Sequence, residues 1–154
     1  MFVDRAPPPR TLPAMVSTAA AVVTAEYTGR SRLIEDEARP ISTSYRFRVV
    51  ETVKRHAALP FDGQEVEVEL HGGDKEHATY IERTRVADTR ALERNHTYVL
   101  FLVWNPTQKK LQLGWGPSIY DVSGGYVRSV DTRELQHDGK AAGTFLAELR
   151  MARK

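Results

Sequence analysis

The chain contains no cysteine, which excludes a disulfide framework, thiolate catalysis and any zinc or iron–sulfur site built on cysteine. It also lacks a run of ~20 consecutive apolar residues, the length that a membrane-spanning helix requires, so we expect a soluble protein with no membrane span. The chain also has no large excess of basic over acidic residues. The 22 basic and 20 acidic residues leave a net charge of +2, which provides little long-range attraction to a polyanion.

What is present suits one folded domain, because a chain of 154 residues buries roughly 70% of the surface that its unfolded form exposes. Residues 1–14 contain four prolines and favour an extended path. We therefore predict a proline-rich arm or linker over 1–14 and a single β-barrel domain over 15–154. The first residues lack the apolar core of a signal peptide, and a signal segment ahead of residue 1 would make the protein exported or periplasmic.

Two segments show the alternation of apolar and polar residues that is typical of half-buried strands. They cover 41–49 and 64–70, and the first is expected to contain a bulge at Val49–Val50. If the two strands pair in antiparallel fashion, the outward residues Arg46 and Arg48 lie across from outward glutamates. Local charge would then cancel on that face of the sheet.

The unbroken apolar run 97–104 (TYVLFLVW) predicts a central strand that is buried on both faces. Further strands are predicted over 18–30, 110–115, 118–123 and 126–130. The last segment changes to helical spacing, with apolar residues at Ala142, Phe145, Leu146 and Leu149 and with Asp138 as the expected N-cap. We predict a mainly β fold, an antiparallel OB-like barrel with a short C-terminal helix.

The order of elements resembles a family of mostly uncharacterised bacterial proteins with a netrin-like, OB-type barrel, related in fold to the tissue inhibitors of metalloproteinases. The segments that carry the resemblance span 18–152 and are AAAVVTAEYTG, YRFRVVETVK, the 63–73 strand, NHTYVLFLVWN, LQLGWGPSIYDVSGGYVR and GTFLAELR. The resemblance implies the fold and, weakly, export. Those inhibitors bind the protease zinc through an N-terminal cysteine that this chain lacks, and fold alone does not determine function.

One loop gathers possible metal ligands, since His71, Asp74, Glu76 and His77 lie within seven residues. Their spacing matches no known ligand motif, which favours the alternative of a polar hairpin connection through Gly72-Gly73. The other histidines, His56, His96 and His137, stand alone in polar sequence and are predicted at the surface. We predict no cofactor.

No catalytic residue can be assigned, because the chain has no Gly-x-Ser-x-Gly elbow and its closely spaced glutamates form one face of a strand. We therefore favour a non-enzymatic binding or interaction domain, recognising a protein or peptide through barrel-end loops around 31–40 and 72–79. A hydrolase or metal-dependent enzyme remains an alternative, which would require bound metal or a triad that converges from distant residues.

A second alternative is a single-stranded nucleic-acid-binding domain, a common role of OB-type barrels. Arg46 and Arg48 would contact phosphates, and Trp115 and Tyr120 would stack on bases. The competing interpretation is that these arginines pair with glutamates and that the aromatic rings belong to the core, with Trp115 as a plug at the end of the barrel. The near-neutral net charge favours this competing interpretation.

Overall fold

A computed structural model describes residues 9–34, 42–56, 63–71, 73–76, 81–84, 90–115, 118–132 and 136–153. The elements, in chain order, are α1 (Leu12–Thr18), β1 (Ala21–Ile34), β2 (Ser42–Arg55), β3 (Glu65–His71), β4 (Gly73–Glu76), β5 (Ile81–Thr84), β6 (Thr97–Asn105), β7 (Lys110–Leu113), β8 (Ile119–Asp121), β9 (Arg128–Ser129) and α2 (Ala142–Ala152). None of the described helices has the length and apolar character needed to cross a membrane.

The protein is mainly β, and its described strands pair in antiparallel fashion. The main sheet has the order β3-β2-β1-β6-β8-β9, with β7 also paired to β6, while β4 and β5 form a separate hairpin. The edges β3 and β7 approach each other, and the Lys110 Nζ lies 3.7 Å from a carboxylate oxygen of Glu69. The predicted mainly β, antiparallel fold with a C-terminal helix is confirmed. The predicted closed barrel is not confirmed, because no backbone pairing joins the β3 and β7 edges within the described residues.

The alternation in the sequence correctly predicts how β2 and β3 pair. Arg46 lies opposite Glu67 and Arg48 opposite Glu65, and the Arg46 guanidinium is 3.0 Å from the Glu67 carboxylate. The predicted bulge is also confirmed, because the register between β1 and β2 shifts so that Val50 has no partner on β1. Val50 is 55% exposed.

The sheet has a core on each face, and β6 contributes to both. Tyr98, Leu100 and Leu102 pack with Phe47 and other residues on one face of the sheet. Val99 and Phe101 of β6 pack on the opposite face with residues of both helices, and we call this second cluster the outer core. Burial on both faces explains why this strand reads as an unbroken apolar run, so that prediction is confirmed.

The short helix α1 begins at Leu12, inside the segment 1–14 that the prolines predict to be an extended arm. Thr11 caps this helix, because its hydroxyl accepts a hydrogen bond from the amide of Ala14 at 3.3 Å. Pro13 lies in the first turn, where a missing amide donor costs nothing. Met15 is buried against the outer core, so this part of the segment belongs to the folded domain.

The C-terminal helix was predicted with the correct buried face but with the wrong N-cap. Phe145 and Leu149 are fully buried, whereas the residue at the N-cap position is Ala141, which makes no side-chain capping bond. The carboxylate of Asp138 instead accepts a hydrogen bond from the amide of Ser129 at 2.7 Å. That contact ties the segment before α2 to β9.

Candidate binding groove

A polar groove lies where β3 approaches the β6–β7 hairpin. Its volume is about 340 Å³, and it is lined by Arg32, Ile34, Ser44, Glu67, Glu69, Asn105, Gln108, Lys110, Leu111, Gln112 and Leu113. We call it the β3–β7 groove. Charged and amide side chains outnumber apolar ones along its walls, so a ligand there would be recognised mainly through hydrogen bonds and ion pairs.

The register of the sheet explains how three residues distant in sequence reach this groove. Arg32 on β1 pairs with Ser44 on β2, and Ser44 pairs with Glu69 on β3. Directly paired residues of neighbouring strands point to the same face, so these side chains form one row. The Arg32 guanidinium also lies 3.8 Å from the Glu67 carboxylate in the next row.

The opposite wall is held by the turn between β6 and β7. The Asn105 side-chain amide donates to the Gln112 side-chain carbonyl at 3.0 Å. The Asn105 side-chain oxygen accepts hydrogen bonds from the amides of Thr107 and Gln108 at 3.0 and 3.1 Å. These bonds are made within the hairpin, so this amide-rich wall keeps its shape without a ligand.

A second recess continues from the groove along β1 and β2. Its volume is about 390 Å³, and it is lined by Gly29, Arg30, Ser31, Arg32, Ser44, Arg46 and Glu67. We call it the basic recess, because three arginines face one glutamate. Among the described residues, none forms an ion pair with the exposed Arg30 guanidinium.

A bulge in β1 gives the basic recess its shape. Gly29 adopts a φ of 85°, in the left-handed region that favours glycine, and a Cβ there would come within 2.9 Å of the Arg94 side chain. The neighbouring Thr28 hydroxyl donates to the backbone carbonyl of Arg46 at 3.1 Å. The strand then continues to Ile34, paired with β2.

The structure does not bring the four predicted binding residues together on one surface. Arg46 lines the basic recess, and its hydrogen bond with Glu67 raises the pKa of its guanidinium. The Arg48 guanidinium lies 3.4 Å from the Glu26 carboxylate. Tyr120 is only 3% exposed, and the partly buried Trp115 ring is 5.7 Å from the Phe101 ring, so both aromatic residues pack in the outer core.

The predicted barrel-end loops differ from what the described residues show. Residues 31–34 continue β1, because pairing with β2 resumes beyond the bulge at Gly29, so the expectation of a loop is wrong there, and 35–41 lie outside the described residues. Residues 73–76 form β4 rather than a loop. The metal prediction at His71, Asp74, Glu76 and His77 stays a prediction, since His77 and the side chains of the other three lie outside the described part.

His96 belongs to a cluster of titratable side chains that the sequence does not predict. The Nδ1 atom of this ring is 2.7 Å from a carboxylate oxygen of Asp121 and 3.2 Å from one of Glu93. The hydrogen bond with Asp121 raises the pKa of His96. Burial raises the pKa of the neighbouring Tyr98 to about 12, and its hydroxyl oxygen accepts a hydrogen bond from the Glu93 amide at 2.7 Å.

His137 was predicted at the surface, but it is buried against aromatic rings. Its ring centroid lies 5.9 Å from that of Tyr120 and 5.8 Å from that of Phe145. Its Nε2 donates to the Arg10 carbonyl at 2.8 Å, while Nδ1 is buried and finds no hydrogen-bond partner among the described residues. Burial lowers the pKa of this imidazole, because a proton on Nδ1 would have no acceptor.

We expect His137 to reduce stability in acid. Because its folded-state pKa lies below the ordinary 6.5, the unfolded chain takes up the proton first as pH falls, and unfolding becomes more favourable below about that pH. The dependence ends below the folded-state pKa. The surrounding charges are those of Lys140, Glu148 and Asp138.

Urea unfolding between pH 7.5 and 5 would test this for the wild type and for His137→Gln, whose amide keeps a donor for Arg10 but does not titrate. As pH falls, the unfolding free energy of the wild type should decrease more than that of His137→Gln. His56→Gln, at an exposed histidine, is the matched control and should follow the wild type. A difference that is constant with pH contradicts the assignment.

The β3–β7 groove and the basic recess share Arg32, Ser44 and Glu67, so they form one continuous surface. It presents guanidinium, ammonium, carboxylate and amide groups, all of which can form hydrogen bonds or ion pairs with a ligand. No family model matches this sequence, and no curated protein is significantly similar to it.

Proposed function

We propose that this chain is a non-enzymatic binding domain that holds an extended, acidic segment of a partner protein in the β3–β7 groove and the basic recess. The observation that carries the proposal is the continuous polar surface across β1, β2, β3 and β7. We further propose that the sheet is an opened version of the OB-like, netrin-like barrel that the sequence resembles. The 3.7 Å contact between Lys110 and Glu69 across the β3 and β7 edges supports that architecture.

The dimensions of the groove favour a peptide over a buried small molecule. Small-molecule pockets range from about 300 to 1,000 Å³ and are lined mostly by apolar and aromatic side chains. The β3–β7 groove, at about 340 Å³, is at the lower end of that range and has no aromatic lining residue among those described. An extended backbone offers alternating donors and acceptors, which match the amides of Asn105 and Gln112 and the nearby strand edges.

The charges favour a carboxylate on the peptide. Arg30, Arg32 and Arg46 line the basic recess, where Glu67 is the only acidic lining residue described. Glu67 already contacts Arg46 at 3.0 Å and Arg32 at 3.8 Å. An aspartate or glutamate from a partner would add the missing negative charge, and the planar guanidinium of Arg30 can bind its carboxylate through two parallel hydrogen bonds.

The same arginines support single-stranded nucleic acid as a second candidate ligand. Recognition of single strands, however, relies on bases stacked against aromatic rings as well as on phosphate contacts. No described aromatic side chain lines either cavity. A single strand carries a charge on every phosphate and would meet Glu67 and Glu69 in the β3–β7 groove, whereas a peptide can place its carboxylate in the basic recess and uncharged residues in the groove. The peptide is therefore the better match.

Selection of random dodecamer peptides on the purified chain, followed by affinity measurement with the selected synthetic peptides, tests the proposal. We expect enrichment of peptides that contain aspartate or glutamate. The double substitution Arg30→Glu and Arg32→Glu should weaken their binding about tenfold or more, because it replaces attraction by repulsion. The matched control is Arg153→Glu, at an exposed arginine outside both cavities, which should bind as the wild type does.

Two outcomes would overturn the peptide proposal. One is selected peptides whose affinity is the same for the wild type and the Arg30/Arg32 variant. The other is the absence of selected peptides together with salt-dependent binding of a fluorescent oligothymidine that the Arg30/Arg32 variant loses, which would establish the nucleic-acid alternative instead.

A further inference from the structure

Glu93, His96 and Asp121 bring three potential metal-ligand atoms within 4.8 Å of one another. The first two lie in the turn before β6, and the third ends β8. Imidazole nitrogen and carboxylate oxygen are the cysteine-independent ligands that zinc uses in proteins. We propose that this cluster is a binding site for one divalent transition-metal ion, with zinc as the expected ion. Its three residues line neither the β3–β7 groove nor the basic recess.

The two separations measured from His96 are close to those of a tetrahedral site, and the Glu93 and Asp121 carboxylate oxygens lie within 4.8 Å of each other. Zinc lies about 2.0–2.2 Å from nitrogen and oxygen ligands, so neighbouring ligand atoms of a tetrahedron are about 3.3 Å apart. The separation of His96 Nδ1 from the Glu93 carboxylate is already 3.2 Å. That from the Asp121 carboxylate is 2.7 Å, and rotation of side chains would need to widen it by about 0.6 Å to reach the same geometry.

Hydrogen bonds outside the cluster orient the Asp121 ligand. One of its carboxylate oxygens accepts a hydrogen bond from the Ser123 amide at 2.9 Å, while the other faces His96. The Ser123 hydroxyl also accepts a hydrogen bond from the Thr97 amide, next to His96. Such outer contacts hold ligands in place before the metal arrives and typically matter tenfold or more to affinity.

The turn that carries the other two ligands is fixed to β1. The Tyr27 amide donates to the His96 carbonyl at 3.0 Å, and the Asn95 amide donates to the Tyr27 carbonyl at 2.9 Å. Asn95 adopts a φ of 69°, a left-handed conformation that asparagine tolerates better than most residues. The ligand set is therefore held by backbone contacts rather than by flexible loops.

Charge and exposure also suit a divalent ion. Two carboxylates supply two negative charges, which one divalent cation neutralises, and Arg128 is the nearby cation that would compete with it. The side chain of Asp121 is 13% exposed and that of Glu93 is 59% exposed. The site is thus anchored on its inner side and open to water on its outer side, which leaves a fourth position for solvent.

Titration of the 154-residue chain with zinc chloride by calorimetry, with metal analysis after dialysis, tests this site. We expect one zinc ion per chain, and an affinity at least tenfold weaker in His96→Ala and in Glu93→Ala. Glu93→Ala is the safer variant for folding, because the residue is exposed. His56→Ala removes another exposed histidine outside the cluster and should leave zinc binding unchanged.

Failure of the wild type to retain zinc would overturn the proposal and leave the three side chains as an ion-paired network. Retention with equal affinity in the wild type, His96→Ala and Glu93→Ala would overturn it as well. In that case His71→Ala and His77→Ala would show whether the zinc binds at the separately predicted 71–77 loop.

Discussion

Replacing Phe145 by alanine should cost about 3–5 kcal/mol of unfolding free energy, the range observed when a buried phenylalanine is truncated. Phe145 is fully buried on α2, and its ring lies 5.6 Å from that of Tyr120 on β8. Removing it leaves a cavity at the point where α2 packs on the sheet. Since a domain is stable by only about 5–15 kcal/mol, the loss would be a large part of the total.

Urea denaturation monitored by circular dichroism would measure this loss. The matched control is Met151→Ala on the same helix, because Met151 is 72% exposed and its truncation should change stability by no more than about 0.5 kcal/mol. Similar losses for the two variants would show that α2 does not pack through Phe145. If the loss equals the total stability of the domain, Phe145→Ala will be unfolded even without urea, and this result also agrees with the prediction.

The sequence could predict the elements whose pattern depends on local burial. The alternation in β2 and β3 arises because each strand has one buried and one exposed face. The period therefore predicted that outward arginines would lie opposite outward glutamates, and the register pairs Arg46 with Glu67. In β6 the alternation disappears because the residues between 98 and 102 are buried whichever face they point to. In both cases the local sequence pattern depends on which faces of the strand are buried, so it can be recognised without knowing which strands are neighbours.

The sequence could not predict features that depend on contacts between distant segments. His96 and Asp121 are 25 residues apart, and the register of β6 with β8 brings them together. Of the other two residues in the cluster, only Glu93 lies close to His96 in sequence, and one carboxylate three residues from a histidine does not by itself indicate a ligand set. The start of α1 was missed for another reason, because the prolines around it favour extended chain and only Pro13 occupies a first-turn position that tolerates it.

The two proposed sites share a structural support, which the sequence also does not reveal. Gly29 borders the basic recess, and the Arg94 side chain packs directly against it. Arg94 belongs to the same turn as Glu93 and His96. The bulge of β1 at Gly29 therefore lies between the basic recess and the turn that carries Glu93 and His96.

Substituting Lys54 by methionine should cost about 2 kcal/mol or more of unfolding free energy, because hydrogen bonds from a charged group contribute about 1.5–3 kcal/mol. The Lys54 ammonium donates to the carbonyls of Val16 and Ala19, each at 2.6 Å, and to that of Ser17 at 3.2 Å. These carbonyls lie at the end of α1, where helix geometry leaves acceptors without internal partners. A cation at a helix C-terminus is also favoured by the helix dipole.

Methionine keeps much of the volume and apolar length of lysine, so the change isolates the ammonium group. Burial lowers the pKa of Lys54, whereas its three carbonyl contacts favour the charged form. Amide hydrogen exchange should show faster exchange in α1 for Lys54→Met, together with the loss measured by urea unfolding. The control Lys109→Met makes the same chemical change at an exposed lysine and should leave both measurements unchanged. Equal exchange in α1 for the two variants would contradict this prediction. It would mean that the apolar contacts of Leu12 and Met15 stabilise the helix and that the Lys54 ammonium does not.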